Sequence, residues 1–82
     1  MKELKDTVEG MLSSDYKERF KAEYYQLKIR CDKLASMVKK WDEGKLDFTP
    51  TCPREIYADQ LDYMYHYLTV LKERAKIENV EL

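Results

Sequence analysis

The chain has 82 residues, of which 38% are charged, 44% are hydrophobic and only two are glycine. This composition is typical of a single helical or coiled-coil domain, and so short a chain buries little apolar surface without a partner. Fifteen basic and sixteen acidic residues give a net charge of −1, which argues against binding to the phosphates of duplex DNA. We therefore predict one all-α domain over residues 1–82.

Residues 1–12 form the first predicted element, a short amphipathic helix. Its apolar residues are Leu4, Val8, Met11 and Leu12, and Gly10 and two serines then interrupt the pattern. The segment lacks the apolar run of a signal peptide, and nowhere does the chain contain 18 consecutive apolar residues that could span a membrane. We expect no membrane association and a cytoplasmic location.

The first long helix is predicted over residues 15–43. Ser13, Ser14 or Asp15 can cap its start, and Glu18 follows Asp15 at the spacing of a capping box. Gly44 suits the left-handed position that ends many helices. The apolar residues recur at spacings of four and three, which is the pattern of a coiled-coil seam. They are Phe20, Tyr24, Leu27, Cys31, Leu34, Val38 and Trp41.

A loop over residues 44–52 is predicted to connect this helix to a second one over residues 53–79. Pro53 suits the first helical position, with Thr51 or Cys52 as the cap. Two long helices of similar length joined by a short loop predict an antiparallel helical hairpin. The second helix has its own seam, which contains Tyr57, Leu61, Met64, Leu68, Leu71 and Ala75.

A second stripe lies beside that seam on the second predicted helix. Together the two stripes cover more than half of the helix circumference, whereas a surface helix usually buries a face of about 100°. Either residues 1–12 fold back over the second stripe, or the stripe meets the same stripe of another chain. We favour the second alternative, which predicts a homo-oligomeric bundle. The second stripe consists of Ile56, Gln60, Tyr63, Tyr67, Val70, Arg74 and Ile77.

The sequence predicts no catalytic site, metal site or cofactor. Cys31 and Cys52 lie roughly 18 Å apart along the axis, too far for a disulfide. His66, Asp59 and Asp62 occupy a polar helix face without the spacing of a metal site or the burial that acid–base catalysis needs. We therefore do not expect an enzyme.

Tyrosine, arginine and glutamine residues are the candidate binding residues. The rings of Tyr25, Tyr63 and Tyr67 suit a protein interface or stacking on a nucleobase. Gln60 and Arg74 are polar residues within an apolar stripe and therefore need a partner if the stripe is buried. For Arg74, that partner is either a phosphate of a ligand or a carboxylate such as Glu78 or Glu23 of another chain.

Arg54 and Lys45 are a second, separate group of candidates for anion binding. Arg54 lies in the first turn of the second predicted helix, where free N–H groups and the helix dipole favour an anion. Lys45 in the preceding loop could join it. The alternative is that this stretch serves only as a turn and a helix cap.

Three parts of the sequence carry a resemblance to known proteins. They are YKERFKAEYYQLKIR at residues 16–30, KLDFTPTCP at residues 45–53, and a C-terminal pattern of Gln60, Met64, Tyr67, Leu68, Leu71, Arg74, Ala75, Ile77, Glu78 and Leu82. These parts resemble a family of small proteins encoded by phages and prophages, found in crAss-like phages and in gut Gram-positive hosts. The resemblance implies the cytoplasm of a bacterial host as the setting.

In that setting, small helical phage proteins include inhibitors of host defence. The architecture is similar to that of sponges, which assemble from hairpins and hold cyclic nucleotides or ADP-ribose derivatives made by bacterial immune systems. The first hypothesis is therefore a homo-oligomer that sequesters a small phosphorylated signal. The alternatives are an inhibitor or adaptor that binds a host defence protein, and a structural or regulatory coiled-coil protein of the phage.

Overall fold

A computed structural model describes residues 3–82; Met1 and Lys2 of the predicted N-terminal segment lie outside the described residues. The chain forms a 3-10 helix at Leu4–Thr7 and three α-helices, α1 at Val8–Met11, α2 at Tyr16–Asp42 and α3 at Arg54–Ile77. No strand occurs between residues 3 and 82, so the prediction of an all-α chain is confirmed. Within the same range, no helix combines the length and the hydrophobicity needed to cross a membrane.

Local signals determine where the long helices begin and end. Asp15 caps α2, and its carboxylate accepts a hydrogen bond of 2.9 Å from the backbone N–H of Lys17. Gly44 follows the C-cap with a φ of 72°, the left-handed conformation that glycine adopts without strain. Pro53 has an extended ψ of 148°, so it serves as the N-cap of α3 in place of Thr51 or Cys52.

The helices α2 and α3 pack side by side and run antiparallel. Arg54 at the start of α3 binds Asp42 at the end of α2, whereas Glu78 just beyond α3 binds Tyr16 at the start of α2. The seam residues between the helices form two buried clusters, and Leu68 packs against both. The first contains Phe20, Tyr24, Leu71, Ala75 and Val80, and the second contains Cys31, Val38 and Leu61.

The N-terminal segment packs against the opposite side of α2. A Cβ atom on Gly10 would lie 3.0 Å from the Cβ of Ala22, so any other residue would push the two segments a few tenths of an ångström apart. The side-chain amide of Gln26 donates a hydrogen bond of 2.9 Å to the sulfur of Met11. Ala22 follows Phe20 by two residues and therefore lies on nearly the opposite side of the helix. This position leaves the second stripe uncovered by residues 3–12.

The second stripe of α3 is open to solvent along its length. Its apolar side chains keep from 45% of their surface exposed at Tyr67 to 79% at Ile77. Ile56, Tyr63 and Val70 fall between these values. Contiguous exposed apolar surface of this kind marks an interaction site in a small protein.

Candidate ligand-binding site

A shallow groove of about 390 Å³ runs along the second stripe, close to the volume of small-molecule sites. Its walls are mostly apolar, and the polar groups of the lining residues are one carboxylate, one side-chain amide and two tyrosine hydroxyls. The helical repeat places residues three and four apart on one side of α3, which explains how one helix supplies all of them. Such a groove suits a flat ring with a polar edge. It is lined by Ile56, Asp59, Gln60, Tyr63, Met64 and Tyr67.

Tyr67 closes the side of the groove that faces α2. Its hydroxyl donates a hydrogen bond to the carboxylate of Glu23, and this bond raises the pKa of Tyr67. Because the bond joins α3 to α2, it fixes the ring of Tyr67 at the wall of the groove. Tyr63 has no such restraint and keeps 76% of its surface exposed, so its ring is free to meet another flat group.

Arg74 lies two helical turns beyond Tyr67 and is held in place by its neighbours. The guanidinium group lies over the ring of Phe20, with its carbon 4.8 Å from the ring centre. Its Nε donates to Glu78 at 2.8 Å, and the hydroxyl of Tyr16 donates to the same carboxylate at 2.8 Å. The guanidinium group and then the tyrosine hydroxyl hold the pKa of Glu78 below its usual value. From the sequence, Glu78 of another chain was considered as a partner of Arg74, whereas in the structure Arg74 binds Glu78 of its own chain.

Arg54 and Lys45 lie at the opposite end of α3. Arg54 donates two hydrogen bonds of 3.0 Å to Asp42, one to each carboxylate oxygen, so its guanidinium group closes the loop between α2 and α3. Lys45 is exposed, and its backbone N–H donates to the carbonyl of Lys40 at 2.8 Å. Twenty residues of helix separate Arg54 from Arg74, which corresponds to about 30 Å. The structure does not bring these cations to the groove.

Tyr25 lies on the other flank of the helix pair. Its ring meets that of Tyr24 edge to face at 5.1 Å and packs against the first cluster. Glu23, which binds Tyr67, is two residues away from Tyr25 and thus nearly opposite on α2. Among the predicted site residues, the structure brings together Gln60, Tyr63 and Tyr67, with Arg74 near them.

A family model described as Sequestin matches residues 14–77. The chain belongs to the Sequestin family. Comparison with curated proteins and with solved structures gives no match. The matched range includes α2, α3, the groove and Arg74. The family name indicates sequestration, which is a binding role rather than a catalytic one.

Sequence reasoning missed Asp59 and Met64 as groove residues of this Sequestin-family chain. The sequence pattern places Asp59 on a solvated polar face and Met64 in the seam, and both positions border the second stripe. The helical spacing contained the necessary signal, since Asp59 is three residues after Ile56 and four before Tyr63. An acidic side chain beside an apolar stripe therefore lines this candidate groove.

Acid should remove the stabilisation that Asp42 gives this Sequestin-family fold. Arg54 holds the pKa of Asp42 below its usual value, so the contribution is present above about pH 3.9 and is lost as the pH falls through the lower folded value. The effect is small because the pair is exposed. In urea unfolding, wild type should exceed Asp42→Asn in stability at pH 7 and equal it near pH 2.

Asp62→Asn is the matched control for this measurement. Asp62 is an exposed carboxylate with no ion pair to another of residues 3–82. Its replacement should leave the unfolding midpoint unchanged at both pH values. A difference for Asp42→Asn that persists near pH 2 would contradict the assignment.

Proposed function

We propose that this protein forms a homo-oligomer that sequesters a nucleotide-derived immune signal, such as a cyclic oligonucleotide or an ADP-ribose derivative. The observation that carries the proposal is the tyrosine-lined groove close to the ordered guanidinium group of Arg74. The sequestering role in the family name supports it. During phage infection, the protein would act in the host cytoplasm and lower the concentration of free signal without chemistry.

The groove residues match the parts of a nucleotide. The exposed ring of Tyr63 stacks on the base, an interaction that is worth about 1–3 kcal/mol per base. The amide of Gln60 offers a donor and an acceptor to the edge of the base, and Asp59 accepts hydrogen bonds from an amino group or a ribose hydroxyl. These contacts account for recognition of a base and its sugar.

Arg74 is the proposed phosphate ligand. It lies about 10 Å beyond Tyr67 and about 16 Å beyond Tyr63 along the helix, so a ligand that stacks its base on Tyr63 and binds Arg74 of the same copy must be extended and carry more than one phosphate. Its stacking over Phe20 fixes the plane of the guanidinium group, so little side-chain entropy is lost on binding. We assign no ligand contact to Arg54, Lys45 or Tyr25, because they lie at the loop end or on the other flank.

Thermal unfolding with a panel of signals tests the proposal. A ligand at 100 times its Kd stabilises the folded state by about 2.7 kcal/mol. For a domain of this size, that corresponds to a rise in Tm of roughly 10 °C or more. We expect such a rise with at least one cyclic oligonucleotide or ADP-ribose isomer and none with free adenosine, which has no phosphate.

A Tyr63→Ala variant should lose most of this shift, and Tyr65→Ala should keep it. Tyr65 is the matched control because it is on the same helix, is 50% exposed and does not line the groove. If none of the nucleotide signals raises the Tm of the wild-type protein, the proposal is wrong.

A protein partner is the second candidate function. It is favoured by a separate exposed apolar patch on the N-terminal segment, formed by Val8, Met11 and Leu12. This patch lies outside the second stripe and therefore is not explained by the groove. A flat nucleotide panel together with capture of a purified host defence protein, lost on Leu12→Asp, would support this function instead.

A further inference from the structure

We propose that two copies of the chain pair antiparallel along the second stripe, and that Arg74 of each copy completes the groove of the other. The spacing of the stripe supports a two-fold axis at Tyr67. Gln60 and Arg74 are each seven residues from Tyr67, on opposite sides of it. Each therefore lies about 10.5 Å from the axis along the helix, and the pairing sets Gln60 of one copy opposite Arg74 of the other.

The apolar residues of the stripe follow the same symmetry. Tyr63 and Val70 are four and three residues from Tyr67, and Ile56 and Ile77 are eleven and ten. Antiparallel pairing therefore sets each of these side chains against an apolar side chain of the other copy. All of them are at least 45% exposed in the single chain, so the pairing buries surface that the fold itself leaves open.

The charges of the stripe favour the antiparallel over the parallel arrangement. Asp59 lines the groove near one end of α3, and Arg74 lies near the other end. A parallel pair would set two Arg74 guanidinium groups against each other and two Asp59 carboxylates against each other, which is unfavourable. The antiparallel pair instead sets each Arg74 beside Asp59 and Gln60 of the other copy.

Arg74 has the hydrogen-bonding capacity that this contact needs. Its Nε and one terminal nitrogen donate to Glu78 at 2.8 and 3.5 Å, while the second terminal nitrogen donates to no other residue between 3 and 82. The side chain is 46% exposed. The free N–H groups can therefore reach a second acceptor without breaking the pair with Glu78.

The role of this arrangement in ligand binding rests on the proposed function. One copy supplies for the base the face of the Tyr63 ring that the pairing leaves open, and the other copy, instead of the same one, supplies Arg74 for the phosphate. When the phosphate binds, it replaces the carboxylate of Asp59 on Arg74. Asp59 is then free to accept hydrogen bonds from the ribose or the base. Two equivalent sites result, one on each side of the axis.

Cysteine cross-linking of the ligand-free protein tests the pairing. Ile56→Cys and Ile77→Cys are made in a Cys52→Ser background, and both isoleucines are exposed in the single chain, so the fold is retained. The native Cys31 is buried and burial raises its thiol pKa, so it does not compete. A short bis-maleimide should cross-link the mixture of the two variants strongly and neither variant alone.

An Asp62→Cys variant is the control for random collisions, because Asp62 lies on the outer face of α3, and it should not cross-link. Cross-linking of Ile56→Cys with itself would indicate a parallel pair and overturn the proposal. Absence of cross-linking in the mixture would overturn it as well. Because no ligand is present, the outcome is separate from the nucleotide panel. Pairing without a thermal shift for any nucleotide refutes the sequestration of a signal but not the pairing, and nucleotide binding without cross-linking refutes this pairing but not the sequestration.

Discussion

Replacing Arg74 with alanine is expected to weaken nucleotide binding roughly 10- to 100-fold. A hydrogen bond to a charged group contributes about 1.5–3 kcal/mol, and every 1.4 kcal/mol is a factor of ten in Kd. Arg74 is half exposed, and its main packing contact is with Phe20. The helical content measured by circular dichroism should therefore stay close to that of wild type while calorimetry shows the loss of affinity.

Arg54→Ala is the matched control for this experiment. It removes the same chemical group from the other end of α3, where the guanidinium group is already bound to Asp42. We expect a much smaller change in nucleotide affinity. An Arg74→Lys variant separates charge from geometry, since lysine keeps the charge but loses the planar fork. Equal losses for Arg54→Ala and Arg74→Ala would contradict the assignment of the phosphate to Arg74.

Replacing Leu71 with alanine is expected to cost about 2–5 kcal/mol of unfolding free energy. Leu71 is 1% exposed and lies in the first buried cluster with Phe20 and Tyr24. A domain of this length has a total stability of roughly 4–12 kcal/mol, so the variant loses a large share of it. Urea unfolding followed by circular dichroism measures the change.

The neighbouring Val70→Ala variant supplies the comparison. Val70 is adjacent in sequence but 50% exposed, so the change should cost less than about 1 kcal/mol in the single chain. If the second stripe is paired in solution, this cost should grow as protein concentration rises. A cost for Leu71→Ala no larger than that for Val70→Ala at low concentration would contradict the packing of the first cluster.

Helix formation was predictable from the sequence because it depends on local spacing. The seams of α2 and α3 recur at intervals of three and four residues, and Asp15 caps α2 as predicted. Pro53 was expected as the first helical residue of α3 and is instead its N-cap, so that start was predicted to within one residue. The solvent exposure of the second stripe also follows from the pattern, since one partner helix can cover only part of α3.

The partners of the arginines were harder to predict. Arg54 binds Asp42 across twelve residues of loop and helix end, and that contact depends on a loop geometry that composition does not specify. Arg74 and Glu78 are four residues apart, so an ion pair within the helix was predictable from their spacing. The sequence nevertheless favoured a carboxylate of another chain as the partner of Arg74. Docking of the N-terminal segment depends on the fit of Gly10 against Ala22, which only the folded chain reveals.

The last turn of the chain contributes to the buried core, which limits how far the protein can be shortened for expression. Asn79 adopts a left-handed φ of 56°, which turns Val80 back so that its N–H binds the carbonyl of Ala75 and its side chain is 6% exposed. The region shared with the family ends at residue 77 and begins at residue 14, after Gly10. An expression fragment trimmed to those limits would lose Val80 from the first buried cluster at one end and Gly10 from its contact with Ala22 on the back of α2. The residues before 14 and after 77 cover buried side chains of α2 and α3, so a shortened version of the protein should keep them.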